Sequence, residues 1–234
     1  MGYYYGYGMN YYSTYLLLVL PAVLLSLWAQ ARMKGTYRTY SQVSTQGNWT
    51  GAQIARRILD ANGLGDIPVE PVSGELTDHY DPQAQVVRLS RNVYYGNSIA
   101  AVGVAAHETG HALQHADAYA PLQLRNSIIT ATNFGARLSM PMLFLGLILG
   151  LESLVTFGIL LYALVTFFQL VTLPVEFNAS RRAVAILAQG ALTDEELEGT
   201  KKVLTAAALT YVAALITSAA QLLRLVLLYG RRRR

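Results

Sequence analysis

The sequence predicts a mainly α-helical, membrane-embedded fold with three to four transmembrane helices and a small β element. Three observations predict it. Hydrophobic residues make up 53% of the 234-residue chain and charged residues only 14%, well below the quarter usual for soluble proteins. The apolar residues gather in long runs, of which residues 153–175 carry no charge at all. One polar run, His107-Glu108-Thr109-Gly110-His111, has the H-E-x-x-H spacing, which brings its histidines together only on a helix.

The elements follow in chain order. Residues 1–30 hold a Tyr- and Gly-rich head and the first spanning segment. The tyrosines from Tyr3 to Tyr12 suit a membrane–water interface or, equally, an unstructured tail. Residues 15–29 are apolar apart from Ser26, and with 11–14 they are long enough to cross a bilayer. Pro21 is a candidate kink. No basic stretch precedes this segment and no small-x-small site follows it, which argues against a cleaved signal peptide. Arg32, Lys34 and Arg38 come next, marking a cytoplasmic side by the positive-inside rule.

Residues 31–137 are polar enough for water. Thr50-x-x-Gln53 is a capping box opening a helix that Gly63 can stop. Residues 67–72 and 85–89 read as short strands between turn residues. Asn97 or Ser98 caps the helix that carries H-E-x-x-H. Ala and Gly fill the turns before His107, leaving room for close helix approach. Residues 138–175 read as a membrane hairpin with Glu152 in its turn and Arg137 at the interface. Residues 176–189 form a further helix ended by Gly190, and Thr193-x-x-Glu196 is a second capping box. The mostly apolar stretch 203–229 either spans or packs as an Ala-rich helix. Residues 231–234 are all Arg. These readings divide the chain at 1–30, 31–137, 138–175, 176–202 and 203–234.

Composition narrows the chemistry. There are no cysteines, so disulfides, Cys-ligated zinc and thiol nucleophiles are excluded. The net charge is only +4, and the cations are scattered or flank apolar runs. No nucleic-acid module is present. His107 and His111 lie one helical turn apart and can grip one Zn²⁺, while Glu108 can act on a water beside the metal. A third ligand must be His, Asp or Glu. His115 lies one turn further on but roughly 80° round the helix from His107, which places it near the substrate, around the ligands or in packing. His79, taken as a loop residue, and Glu176, just after a spanning run, are the ligand candidates.

Leu76-Thr77-Asp78-His79-Tyr80-Asp81-Pro82, then Val87-Arg88-Leu89-Ser90, AAVGVAAHETGHALQHA and Glu176-Phe177-Asn178-Ala179-Ser180-Arg181-Arg182-Ala183 resemble the YugP-like neutral zinc metallopeptidases of bacterial membranes. The resemblance covers about residues 30–215. It also extends to HtpX-type membrane proteases, which place a membrane hairpin between H-E-x-x-H and a later glutamate ligand. There the glutamate opens an E-x-x-x-D pattern; here the fourth position after Glu176 is Ser180. The resemblance implies a zincin-like region with His107, His111 and Glu176 as zinc ligands and Glu108 as general base. Asn178, Ser180 and Asp117 are candidate partners of the ligand histidines. Independently of the resemblance, two bilayer crossings between the motif and Glu176 return both to one side.

The function implied is a membrane-bound zinc endopeptidase of the gluzincin kind, acting on protein or peptide substrates that include membrane proteins. His79, Tyr80 and His115 are its candidate oxyanion donors, and the strand at 86–89 could pair with substrate as a sheet edge. Two alternatives are an intramembrane site-2-type protease, for which Leu59-Asp60 lacks the following Gly, and a non-catalytic adaptor with a zinc-stabilised fold. Arg32, Lys34, Arg38, Arg181, Arg182, Lys201 and Lys202 favour a cytoplasmic active site in the cell membrane. No oligomeric state is read from the sequence.

Overall fold

The computed structural model describes residues 11–229, so the head before Tyr11 and the terminal Arg run lie outside the described residues. The chain forms two compact units. One comprises residues 29–127 and 171–211; the other comprises residues up to 28, 128–170 and those from 212 onward.

The chain enters through α1 (Tyr11–Thr14), a π-helical stretch at Tyr15–Val19 and α2 (Leu20–Tyr40). Pro21 lies two residues past the π-helical stretch, just after Leu20. It has no N–H to donate, and the Leu20 N–H reaches back to Tyr15 O, the five-residue step of a π-bulge. Helix α2 continues through Arg32, Lys34 and Arg38 to Tyr40. Charged residues alone do not end a helix; a cap or a breaker does.

The first-named unit is built around a helix and a small sheet. Helix α3 (Gly51–Ala61) begins at the expected capping box. Thr50 Oγ1 accepts from Gln53 N at 3.2 Å, and Gln53 Oε1 accepts from Thr50 N at 2.9 Å. Strands β1 (Val69–Val72), β2 (His79–Asp81) and β3 (Val86–Ser90) form a sheet of order β1-β3-β2, with β1 parallel and β2 antiparallel to β3. Two expectations are corrected here. His79 and Tyr80 lie in a strand, not a loop; three residues are too few for an alternation pattern to announce itself. The stretch 86–89 is the central strand, so both its edges are already paired and it cannot receive a substrate strand. Its residues Val86, Val87 and Leu89 are buried, as a central position demands.

After the short α4 (Arg91–Tyr94), α5 (Ile99–Ala116) is capped by Ser98, whose Oγ accepts from Ala101 N at 3.1 Å. Helix α5 is buried on two sides. Ala101, Ala105 and Ala112 pack with Leu59, Val87 and Leu89. Val102, Ala106 and Leu113 pack with Ile54, Ala183 and Leu204. Small side chains are what allow this. At Gly110, an added Cβ would sit 2.8 Å from Ala179 O, so only glycine permits that approach.

Three long helices complete the chain: α6 (Ala120–Leu149), α7 (Glu152–Leu187) and α8 (Asp194–Tyr229). The segments read as 153–175 and 176–189 form one continuous helix as far as Leu187, running through Pro174. Thr193 and Glu196 cap α8 reciprocally. Tyr12–Tyr40, Ala120–Leu149, Glu152–Leu187 and Asp194–Tyr229 are long and apolar enough to cross a membrane. In the second unit Leu143, Val155 and Leu225 form a small core. Ser26 Oγ meets Thr217 Oγ1 at 2.8 Å and Thr166 Oγ1 meets Ser218 Oγ at 2.7 Å. Leu17, Leu24, Phe144, Ile148 and Leu160 are exposed, a surface that suits lipid better than water.

Candidate metal centre

On α5, His107 and His111 stand one turn apart with ring centroids 4.8 Å apart and planes at 84°. Glu176 on α7 points its Oε2 between them, 3.3 Å from His107 Nε2 and 3.8 Å from His111 Nε2. One ligand atom from each of the three residues lies within 4.8 Å of the other two. A tetrahedral zinc with bonds of about 2.0–2.1 Å has ligand–ligand edges of roughly 3.4 Å. The cluster is close to that size.

The hydrogen bonds around the cluster fix which nitrogen faces inward. The buried Gln114 donates through Nε2 to Val175 O at 2.8 Å and to Asn178 Oδ1 at 2.9 Å. Both are acceptors there, so Gln114 Oε1 is the atom that faces His111 Nδ1, at 2.9 Å. His111 therefore carries its hydrogen on Nδ1, and in the neutral ring the Nε2 lone pair points at Glu176. His107 Nδ1 meets Ser180 Oγ at 3.1 Å. Lone pairs of two imidazoles and a carboxylate would then converge. Among the described residues, Glu176 Oε2 is buried and accepts no hydrogen bond of good geometry. A buried carboxylate oxygen in that setting needs a cation or a proton, and the donor set of two imidazoles and one carboxylate suits zinc. Glu176 Oε1 is engaged separately, by Arg125 Nη1 at 3.4 Å.

Glu108 projects into the cavity that also holds His107 and Glu176. The backbone N–H of Tyr80 donates to its Oε2 at 3.1 Å. Strand β2 grips α5 a second time through Tyr80 Oη and His115 Nδ1, 2.8 Å apart. The structure thus gathers His107, Glu108, His111 and Glu176, and holds Tyr80 and His115 against the same helix as a pair. His79 is exposed, its Nδ1 beside Thr77 O at 2.7 Å, and is not brought to the cluster. Asp60 pairs with Arg56 at 2.8 Å, also outside the cluster.

Of the three residues considered as partners of the histidines, Ser180 touches His107 directly. Asn178 acts through Gln114. Asp117 stands one link further out, bound to Arg182 Nη1 at 2.5 Å, while Arg182 Nε donates to Asn178 at 2.9 Å. Gln114, Arg125 and Tyr211 went unread in the sequence. Gln114 had a signal, since it lies three residues after His111 on the same face. Arg125 and Tyr211 had none, because each reaches the cluster from another helix.

Burial alone would lower the His111 pKa. The close contact of the protonated ring with Glu176 and the charges of Glu108 and Glu176 outweigh it, so the shift is upward. Burial also raises Asp78, against the Ser90 N–H and Oγ that donate to its carboxylate.

Residues 15–230 match the family described as "Putative neutral zinc metallopeptidase". The chain belongs to this neutral zinc metallopeptidase family. It is also 52% identical over 217 residues to "Putative membrane protease YugP" of Bacillus subtilis (strain 168), covering 92% of this chain and 96% of that protein. No solved structure matches it. Family membership supports a zinc peptidase, and the His107–His111–Glu176 cluster is the candidate site for its metal.

Proposed function

We propose that this protein is a multi-pass membrane zinc endopeptidase of the gluzincin kind, cleaving peptide bonds in protein substrates. One observation carries the reading. Two imidazoles and a buried carboxylate oxygen converge in a cavity that Glu108 also enters. His107, His111 and Glu176 would hold the ion. When bound, zinc supplies Lewis-acid chemistry, polarising a carbonyl and lowering the pKa of adjacent water.

The remaining work falls to the chain. Gln114 and Ser180 hold the two imidazoles so that Nε2 faces inward. Tyr80 N–H holds Glu108 Oε2, leaving this carboxylate to take a proton from the attacking water and return it to the leaving amine nitrogen. Tyr80 Oη and His79 Nδ1 already have partners. Tyr211 lines the cavity with Glu108 and Glu176 and interacts with Glu176; once Glu176 holds a metal, the Tyr211 hydroxyl would be free to donate to a developing oxyanion. The cations Arg32, Lys34, Arg38, Lys201 and Lys202 support a cytoplasmic position for the site.

Metal analysis of wild type and Glu176→Ala, with casein proteolysis by wild type and Glu108→Gln, tests the reading. The expected result is about one zinc per chain in wild type and Glu108→Gln, loss of zinc in Glu176→Ala, and proteolysis in wild type alone. Full proteolysis by zinc-loaded Glu108→Gln would remove the mechanism.

A further inference from the structure

Two cavities of the unit that holds the cluster share a wall. The first, about 190 Å³, contains His107, Glu108 and Glu176; the rest of its lining is mostly apolar, including Met33, Val104, Leu204 and Ala208, with Asp78 among its polar groups. The second, about 900 Å³, is lined by Lys34, Arg38 and Arg91, by Glu75 and by Ser and Asn groups. Tyr37 and Leu76 line both.

The shared wall matters because of what it joins. Tyr37 stands on α2 between Lys34 and Arg38, so a single turn of helix leads from apolar lining to cationic lining. Leu76, 48% exposed, comes from the turn at 73–77, which is tied by Thr77 Oγ1 donating to Ser73 O at 3.2 Å. Its φ of 55° is unusual for a branched apolar side chain. Three cations face one carboxylate across the larger cavity. None of Lys34, Arg38 and Arg91 enters a salt bridge among the described residues, whereas Arg56, Arg88, Arg182 and Lys201 all do.

We propose that the two cavities form one substrate groove, selecting extended peptide segments with an apolar side chain at the cleaved bond and acidic side chains beyond it. The proposal rests on the peptidase reading and names its substrate class. An extended chain advances about 3.3 Å per residue, so neighbouring residues of one peptide can occupy both cavities. A cationic cleft in a membrane protein would also attract an anionic lipid headgroup. The wall shared with Glu108 and Glu176 favours the peptide.

The test uses the full-length, zinc-loaded protein in nanodiscs of neutral lipid, with a parallel set in nanodiscs that contain anionic lipid. Quenched fluorescent peptides carry a central Leu flanked, on one side or the other, by three Asp, three Ser or three Lys. In wild type at low salt, kcat/KM for the Asp peptide is expected to exceed that for the Lys peptide about tenfold or more. The ratio shrinks as salt rises, since exposed charges are screened. Lys34→Glu/Arg38→Glu and, separately, Arg91→Glu lower or invert the ratio. Taking the ratio within one preparation cancels its active fraction, and the wild-type salt series stands even where a variant does not fold.

Equal cleavage of the Asp and Lys peptides by wild type, or an unchanged ratio in both variants, overturns the groove and leaves the peptidase reading standing. The same holds where the variants alter only a response to anionic lipid, which assigns the cleft to a headgroup. A zinc-loaded wild type that cleaves none of the peptides and no casein removes the peptidase reading and the groove together.

Discussion

At the residue scale, Gln114 decides how His111 presents itself. Its amide has two backbone or side-chain acceptors on one end and the imidazole on the other, so the ring's tautomer follows from hydrogen-bond count alone. Gln114→Ala is expected to weaken zinc binding about 10–100-fold, the usual effect of losing such a partner. Competition with a chromophoric chelator measures it. The pKa of His111 adds a pH dependence. In the metal-free protein its folded value is raised. Its stabilising contribution is then complete below the unfolded value, about 6.5, and fades as pH rises through the raised one. Zinc needs the neutral ring, so affinity should change the other way, strengthening across that window. Melting of the metal-free protein and chelator titrations from about pH 5.5 to 8.5 should show opposite slopes. A pH-independent zinc affinity would count against His111 as a ligand.

At the scale of elements, the centre depends on how closely α5 and α7 approach. A Cβ at position 110 would meet the Ala179 backbone, which cannot turn aside as a side chain could. Gly110→Ala is expected to destabilise by about 1–3 kcal/mol and to loosen zinc binding, because it moves His107 and His111 away from Glu176. Thr50→Ala provides the contrast. It removes the α3 cap, with an expected cost of about 1 kcal/mol, and should leave zinc affinity where it was. Thermal melts and chelator titrations on both variants separate the two. Both capping boxes were legible in the sequence, since each needs only residues three apart. Strand β2 was not. Three residues carry no periodicity, and its place at the sheet edge, with β3 in the centre, depends on register with a strand met later in the chain.

At the scale of the whole molecule, four helices among the described residues are long and apolar enough to cross a bilayer. If all four cross, the two termini lie on one side and the segments before α6 and after α7 on the other. The chain has no native cysteine, so single introduced cysteines report topology without background. Asp66→Cys and a cysteine appended after Arg234 are expected to label from opposite sides of sealed vesicles. Labelling from the same side would mean that one of the four helices does not cross.

The sequence by itself determined the features whose parts lie close along the chain. His107, Glu108 and His111 share one helix, caps close over three residues, and apolar runs announce spanning segments by length. It led to Glu176 only through a resemblance and the even number of crossings between the two. Tertiary structure alone decided the support of the site: Gln114 bridging to Val175 and Asn178, Tyr80 holding Glu108, and Arg125 and Tyr211 arriving from other helices. It also showed that the stretch 86–89 is internal and that His79 stays outside the cluster. The physical reason is range. A hydrogen bond or ligand pair between positions some 20 to 100 residues apart leaves no local periodicity, and it exists only once burial has fixed how the helices approach.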